Sequence, residues 1–405
     1  MKGFFLFLHK IQTMNYILFD GPSRNNFLPL TYTRPVAEIR VGILTIREKW
    51  EAFLESTITF VTEDYLSEKF PMVEFDKNIF INASFLPNAK IVNLIINLKP
   101  NELINSGNDL IAFYANESQD EVDLDSFTKI EYNEKVLHIN SLTDIFKINS
   151  LAIEEDFKLL TKNRDSSKIS NTNNLINSDN IFLEEGVSME YSTLNASNGP
   201  IYISKNCEIM EGSLIRGPFA MCENSTLKLG SKIYGGTTIG PNCKIGGEVK
   251  NSVVIGNSNK GHDGFLGNSL IGEWCNLGAD TNTSNLKNNY TDIKIWNYDS
   301  NKFSSTGEQF CGLIMGDHSK SGINTMFNTG TVVGVCSNVF GSGFPRNFIP
   351  SFSWGGNKGF SNYKIEKAFE VNDIVMKRRN CDFSDKDKAI LTHINEITSP
   401  YRSNF

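Results

Sequence analysis

Eight apolar residues, Ile203, Ile209, Ile215, Met221, Leu227, Ile233, Ile239 and Ile245, recur at every sixth position without a break. Four places on from each stand Cys207, Ser213, Phe219, Ser225, Ser231, Thr237, Cys243 and Val249, all small or β-branched except Phe219. A helix of 3.6 residues per turn would scatter a period of six around its surface, and a simple strand would show a period of two. Period six with a small partner suits a coil of short flat strands, each sending one large residue inward while the small one relieves crowding near the corner. That pattern predicts a left-handed parallel β-helix of hexapeptide repeats.

The period sets the organisation of the chain. Ile181 and Val187 are again six apart and open the solenoid. The register slips around Asn251–Gly261, which predicts a loop leaving the coil. It resumes at Ile271 and Leu277, breaks for a polar insertion at Leu286–Gln309 that contains Trp296, and returns at Phe327, Val333 and Val339. Ahead of the solenoid, apolar strands such as Asn15–Phe19 alternate with helical stretches such as Leu142–Asn149 and Leu151–Thr161, which argues for α/β structure over 14–162. Residues 163–179, rich in Asn, Ser and charge, read as a linker. The expected organisation is an extension at 1–13, an α/β domain at 14–162, a linker at 163–179, the β-helix at 180–360 and a helical segment at 361–405 that caps the last coil and covers its open edge.

Bulk properties narrow the function classes. The chain has 405 residues, 40% apolar and 21% charged, with 39 basic against 46 acidic side chains and a net charge of −7. Such a balance does not favour a nucleic-acid backbone. No apolar run approaches the ~20 residues that span a bilayer, and the five-residue run Phe4–Leu8 is too short for a signal peptide. Seven cysteines without a CxxC pair, two of them in the small slot of the repeat, fit buried reduced thiols and a cytoplasmic protein.

Of the five histidines, His262 alone lies in a dense run of Gly, Asn and Lys at the break in the register. Loops fixed to a rigid scaffold carry function, and a near-neutral imidazole suits removal of a proton from an attacking amine or hydroxyl. The run Lys260-Gly261-His262-Asp263-Gly264-Phe265-Leu266-Gly267, with Ile271-Gly272 and Asn276-Leu277-Gly278-Ala279, resembles the acetyltransferase half of the GlmU family, the bifunctional N-acetylglucosamine-1-phosphate uridyltransferases and glucosamine-1-phosphate acetyltransferases.

The resemblance implies His262 as the base that deprotonates the sugar amine for attack on acetyl-CoA, and the Ala279 amide as the oxyanion donor. It also implies sugar-phosphate contacts from Lys232 and Lys250, sugar contacts from Asn276 and from Phe265 in place of a tyrosine, and a further contact from Lys294. Acetyl-CoA contacts fall on Asn289 and Tyr290, or on Asn285 if no insertion separates the motifs. Members of the family complete the site between solenoids, so a homotrimer is implied.

Near the N-terminus, Leu18-Phe19-Asp20-Gly21-Pro22-Ser23-Arg24 followed by Leu28-Pro29-Leu30-Thr31 resembles a shortened nucleotidyltransferase opening, as in the divergent GlmU-related sugar nucleotidyltransferases. This implies UTP contacts from Gly21, Arg24 and Arg34 and a Mg²⁺ ligand in Asp20. The expected function is acetyl transfer to an amino-sugar 1-phosphate, glucosamine-1-phosphate first, coupled to uridylyl transfer in UDP-N-acetylglucosamine synthesis. The alternatives are a single-activity acyltransferase whose N-terminal domain only recruits substrate, and a non-enzymatic trimeric scaffold.

Overall fold

The computed structural model describes residues 14–115 and 122–403, so the expected extension at 1–13 lies outside the described residues. The N-terminal part is an α/β unit around a six-stranded sheet. Its spatial order is Thr59–Val61, Asn15–Phe19, Asn78–Asn82, Asp109–Ala115, Glu102–Ser106 and Thr128–Glu131. The first three strands run parallel, and Asp109–Ala115 is antiparallel to both of its neighbours. Glu102–Ser106 and Thr128–Glu131 escape a sequence reading because both are short, polar and at one side of the sheet.

The two helical stretches expected at Leu142–Asn149 and Leu151–Thr161 form one helix, Leu142–Thr161. Asn149 interrupts its apolar pattern because its side chain crosses to the solenoid, donating to Gly236 O at 2.9 Å and Thr238 Oγ1 at 3.0 Å.

Beyond this unit the chain winds into a left-handed parallel β-helix of about ten turns. Successive strands visit three faces in rotation: a nine-stranded sheet, a ten-stranded sheet and a six-stranded sheet. All eight residues of the period-six series from Ile203 to Ile245 point inward and are at most 2% exposed. Burying such side chains contributes about 1.5–3 kcal/mol each. The small partners are buried as well, and the serine hydroxyls satisfy corner carbonyls, as where Ser225 donates to Gly240 O at 2.8 Å. Six of the seven cysteines are buried, and burial pushes the thiols of Cys207 and Cys243 up to about 12.

Three sequence expectations need correction. The stretch 163–179 is not a free linker: Asn174–Ile176 is already the first strand of the six-stranded face, pairing with Thr193–Asn195, and Ser167 N bonds to Leu183 O. Its polarity reflects a first coil with one solvated side. The register slip at Asn251–Gly261 is no excursion either. Thr238 pairs with Val253 where Phe219 pairs with Thr237, so one coil takes 15 residues instead of 18 and stays in the ladder. The slip records lost residues. By contrast, the insertion does leave the coil, as an antiparallel hairpin of Lys294–Asn297 with Lys302–Ser305.

The third correction concerns the C-terminal helices Ile365–Lys377 and Asp385–Ile397, which sequence suggests as a cap on the last coil. They run back along the solenoid instead. Arg379 donates to Asn259 Oδ1 at 2.8 Å, and Asp387 pairs with Lys69 of the N-terminal unit at 2.7 Å. The last strand, Gly359–Asn362, closes the ten-stranded sheet by folding antiparallel onto Ser353–Gly356. No helix among the described residues is long and apolar enough to cross a membrane.

The N-terminal unit lies on the nine-stranded face. Its helix Leu142–Thr161 packs on Phe219–Met221, Thr237–Ile239 and Val253–Gly256, and Ile43 and Ile153 form an apolar cluster with Phe182, Tyr202 and Ala220. A polar seam seals the contact. Asp156 accepts from Ile43 N at 2.7 Å and Leu44 N at 3.1 Å and pairs with buried Lys49, while Thr238 Oγ1 donates to Gly42 O at 2.9 Å.

Candidate active site at a solenoid corner

His262 occupies a turn, residues 261–264, between Asn259–Lys260 on the ten-stranded face and Phe265–Gly267 on the six-stranded face. In a three-sided coil that edge is opposite the nine-stranded face, so His262 stands on the far side of the solenoid from the N-terminal unit. The turn has the same four-residue length as those at 210–213, 228–231 and 278–281. The unusual turn is the one beneath it, where only Gly246 and Gly247 join Lys244–Ile245 to Glu248–Lys250. Gly247 has φ +76°, and a Cβ there would stand 2.8 Å from Gly264 O and 3.0 Å from the Asp263 Cα. The cut-back glycine corner therefore seats the His262 turn and leaves a recess between it and the Lys228–Leu229 corner below.

That recess is an open groove of about 830 Å³ whose walls include His262, Asp263, Lys228, Gly246, Ala279 and Asp280. His262 and Asp263 are exposed, and Ala279 is half-buried on the next corner. Lys228 places its ammonium 3.8 Å from Met210 Sδ and supplies the groove's lysine charge. Sequence reasoning missed Lys228. Its only signal is position, one residue past the inward Leu227, which is the same place Gly261 holds after Lys260.

Of the residues singled out from sequence, His262 and Ala279 share this groove. Lys232 and Phe265 do not line it: they stand in one cross-strand row with Glu248 on the outer side of the six-stranded face. Lys250 lies on that face too, its Nζ 6.0 Å from the Phe310 ring centroid, and Asn285 bonds Asn268 Oδ1 at 2.8 Å nearby. Asn276 is exposed on the ten-stranded face. Asn289 and Tyr290 belong to the insertion, Tyr290 64% exposed. Lys294 lines a separate groove of about 640 Å³ with Lys287, Trp296, Phe303 and Arg346. One chain thus gathers the base and oxyanion candidates but spreads the binding candidates over two faces and the insertion.

The N-terminal candidates are all engaged internally. Asp20 accepts from Val36 N at 2.7 Å, Thr62 Oγ1 at 2.6 Å and Arg24 Nε at 3.2 Å, and burial raises its pKa above the usual carboxylate range. Both oxygens are already filled by protein donors, so this carboxylate does not fit a Mg²⁺ ligand. Arg24 is buried and donates to Thr31 O at 2.6 Å and Tyr65 Oη at 3.1 Å. Gly21 is buried against the Asn82 side chain. Arg34 pairs with Asp317 on a solenoid corner and, at 3.3 Å, with Glu273 at the end of the strand Leu270–Glu273. In place of an open phosphate loop, these residues stitch the N-terminal unit together and to the coil. Arg34 also borders a more enclosed cavity of about 280 Å³ with Arg40, Trp274, His318 and Leu391. It lies on the edge carrying the C-terminal helices, away from His262.

Residues 16–165 match the family described as sugar nucleotidyl transferase. Over 87 residues the chain is 39% identical to the bifunctional protein GlmU of Methanocaldococcus jannaschii, covering 22% of this chain and 21% of that one. Over 246 residues it is 26% identical to bifunctional protein GlmU of Synechococcus elongatus, covering 57% and 50%. Over 144 residues it is 28% identical to a bifunctional sugar-1-phosphate nucleotidylyltransferase/acetyltransferase of Sulfurisphaera tokodaii, covering 35% of each chain. The matches span between about a fifth and a half of the length of these curated relatives. Over parts of its length the chain is thus similar to sugar nucleotidyl transferases and to GlmU proteins.

Proposed function

We propose that the chain transfers an acetyl group from acetyl-CoA to the amine of an amino-sugar 1-phosphate, with glucosamine-1-phosphate as first candidate, at the His262 corner. The observation that carries the reading is the placement of an exposed imidazole over a recess cut by Gly246 and Gly247, with Ala279 in the adjoining wall. The amine nitrogen attacks the thioester carbonyl carbon. His262 accepts the proton the nitrogen loses, the Ala279 amide donates to the developing oxyanion, and the C–S bond then breaks to release CoA as its thiol once it is protonated. Lys228 faces the groove and is the nearest match to an anionic sugar substituent. Lys232, Lys250, Phe265, Asn276, Asn285, Asn289, Tyr290 and Lys294 act from surfaces that a neighbouring copy would bring to the groove, so the working unit is a homotrimer. Exposed Ile176, Leu214 and Tyr234 on the six-stranded face support that association.

His262→Ala should lower acetyl transfer by about 10²–10⁴-fold, read as free thiol from acetyl-CoA with glucosamine-1-phosphate, while light scattering reports an unchanged assembly. Full activity in that variant would end the reading.

A specific observation favours the second reading for the N-terminal unit, that it buttresses the solenoid or recruits substrate without uridylyl transfer: Asp20, Arg24 and Arg34 are already committed to protein partners. Incubation with UTP, Mg²⁺ and N-acetylglucosamine-1-phosphate should then release no pyrophosphate. Steady pyrophosphate release would restore the bifunctional reading.

A further inference from the structure

The inward slot that holds Ile245 in one coil and Leu277 two coils later holds Lys260 in the coil between them. Its side chain is 2% exposed. An ammonium in an apolar core is costly unless something compensates it, whereas the two neighbouring coils fill this slot with Ile245 and Leu277. The compensation here is local. Lys260 Nζ donates to the backbone carbonyl of His262 at 2.8 Å, and the carboxylates of Asp263 and Asp280 lie close enough to favour its charge.

Other corners explain why a lysine is needed. In the turn 210–213, Ser213 Oγ donates to Met210 O at 2.8 Å; in 228–231, Ser231 Oγ donates to Lys228 O at 2.5 Å; and Thr325 Oγ1 donates to Gly322 O at 2.8 Å. In these three corners a hydroxyl at the fourth residue braces the first carbonyl, whereas in 278–281 Thr281 Oγ1 bonds Ser321 Oγ at 2.9 Å. In the His262 turn the fourth residue is Gly264, with φ +120°, where a Cβ would stand 2.2 Å from Thr281 O and 3.3 Å from Lys260 Nζ. No hydroxyl fits there, so the corner that carries the candidate base lacks the ordinary brace. Lys260 braces this turn from inside the coil instead, one carbonyl further along, at His262 itself.

We propose that Lys260 is a positioning residue: its buried ammonium holds the backbone of His262 and thereby sets where the imidazole is presented to the groove. This rests on the reading of His262 as the base.

The test is Lys260→Met, which matches the length of the slot and removes the charge, assayed beside wild type and His262→Ala. The variant should keep its fold and assembly with a Tm no lower than wild type, because replacing a buried charge by an apolar group is often neutral or stabilising. Its kcat for acetyl transfer should fall by about ten- to a hundredfold, with KM for glucosamine-1-phosphate changed less than about twofold. Amide hydrogen exchange should speed up by about tenfold in residues 261–264 and stay unchanged in 228–231. Unchanged kcat and exchange, or a variant that fails to fold, would overturn the proposal, the latter by making Lys260 a stability element. If His262→Ala is fully active, it is the functional reading that fails, and the exchange result still decides whether Lys260 braces the turn.

Discussion

Two faces of the same solenoid obey the same backbone rules and meet different fates. On the nine-stranded face the strands Ile201–Ile203, Phe219–Met221, Leu313–Met315 and Thr331–Val333 are buried at every position. On the six-stranded face Leu214–Arg216 and Lys232–Ile233 bury only the inward residue. The inward residues are interchangeable between faces. The outward ones, Tyr202, Ala220, Ile314 and Val332 against Leu214, Lys232 and Glu248, decide which face carries the N-terminal unit and which stays open beside the His262 corner. Strands buried on both sides read as continuous apolar runs and strands buried on one side alternate. The inward hexad therefore specifies a rod, and the outward residues specify what the rod holds.

The largest effect is expected from a charge placed on the covered face. Ala220→Glu puts an unpaired carboxylate under the Leu142–Thr161 helix and should cost about 4 kcal/mol or more, seen as a large drop in Tm or as separate unfolding of the N-terminal unit in calorimetry. An equal Tm would mean that the face is not sealed.

A second test uses acid. Burial, with Lys320 adding to it, pushes His318 down to about 3; Glu273 and Asp387 act the other way, and Lys69 lowers it further. Between that value and the usual ~6.5, the unfolded chain binds a proton that the folded chain refuses. Stability is therefore full above ~6.5 and falls as the pH drops toward 3, by at most about 1.4 kcal/mol per unit. His318 also has φ +60°, a corner position that Asn206, Asn224 and Asn242 fill in other coils. His318→Asn should keep the backbone and move the acid-unfolding midpoint to lower pH. An unmoved midpoint would assign acid sensitivity to other groups.

The smallest effect on the single chain belongs to the open face. Leu214→Glu should change the stability of an isolated chain by less than about 0.5 kcal/mol, yet shift light scattering from trimer toward monomer. A variant that still assembles would move the association surface elsewhere.

Much of this was legible in one dimension. Period six with small partners names the coil because an inward slot recurs whenever a coil keeps 18 residues, and that is a local constraint. The His262 turn stood out because Gly and Asn cluster where a backbone must turn tightly. What the sequence hid was of two kinds. Lys228 and Lys260 look like ordinary charged residues until the coil puts one in the groove and the other in the core. Arg34, read as a phosphate ligand, is paired with Asp317, 283 positions away, and Asn149 with Thr238, 89 away.

The repeat, the inward core and the turn that carries His262 are therefore written in the chain, because each follows from spacing along it. Folding in three dimensions makes the shortened coil open a groove beneath that turn, commits the N-terminal loop to the interface, and sets the two faces apart. Those outcomes depend on which outward side chains meet across hundreds of residues, and spacing carries no record of that.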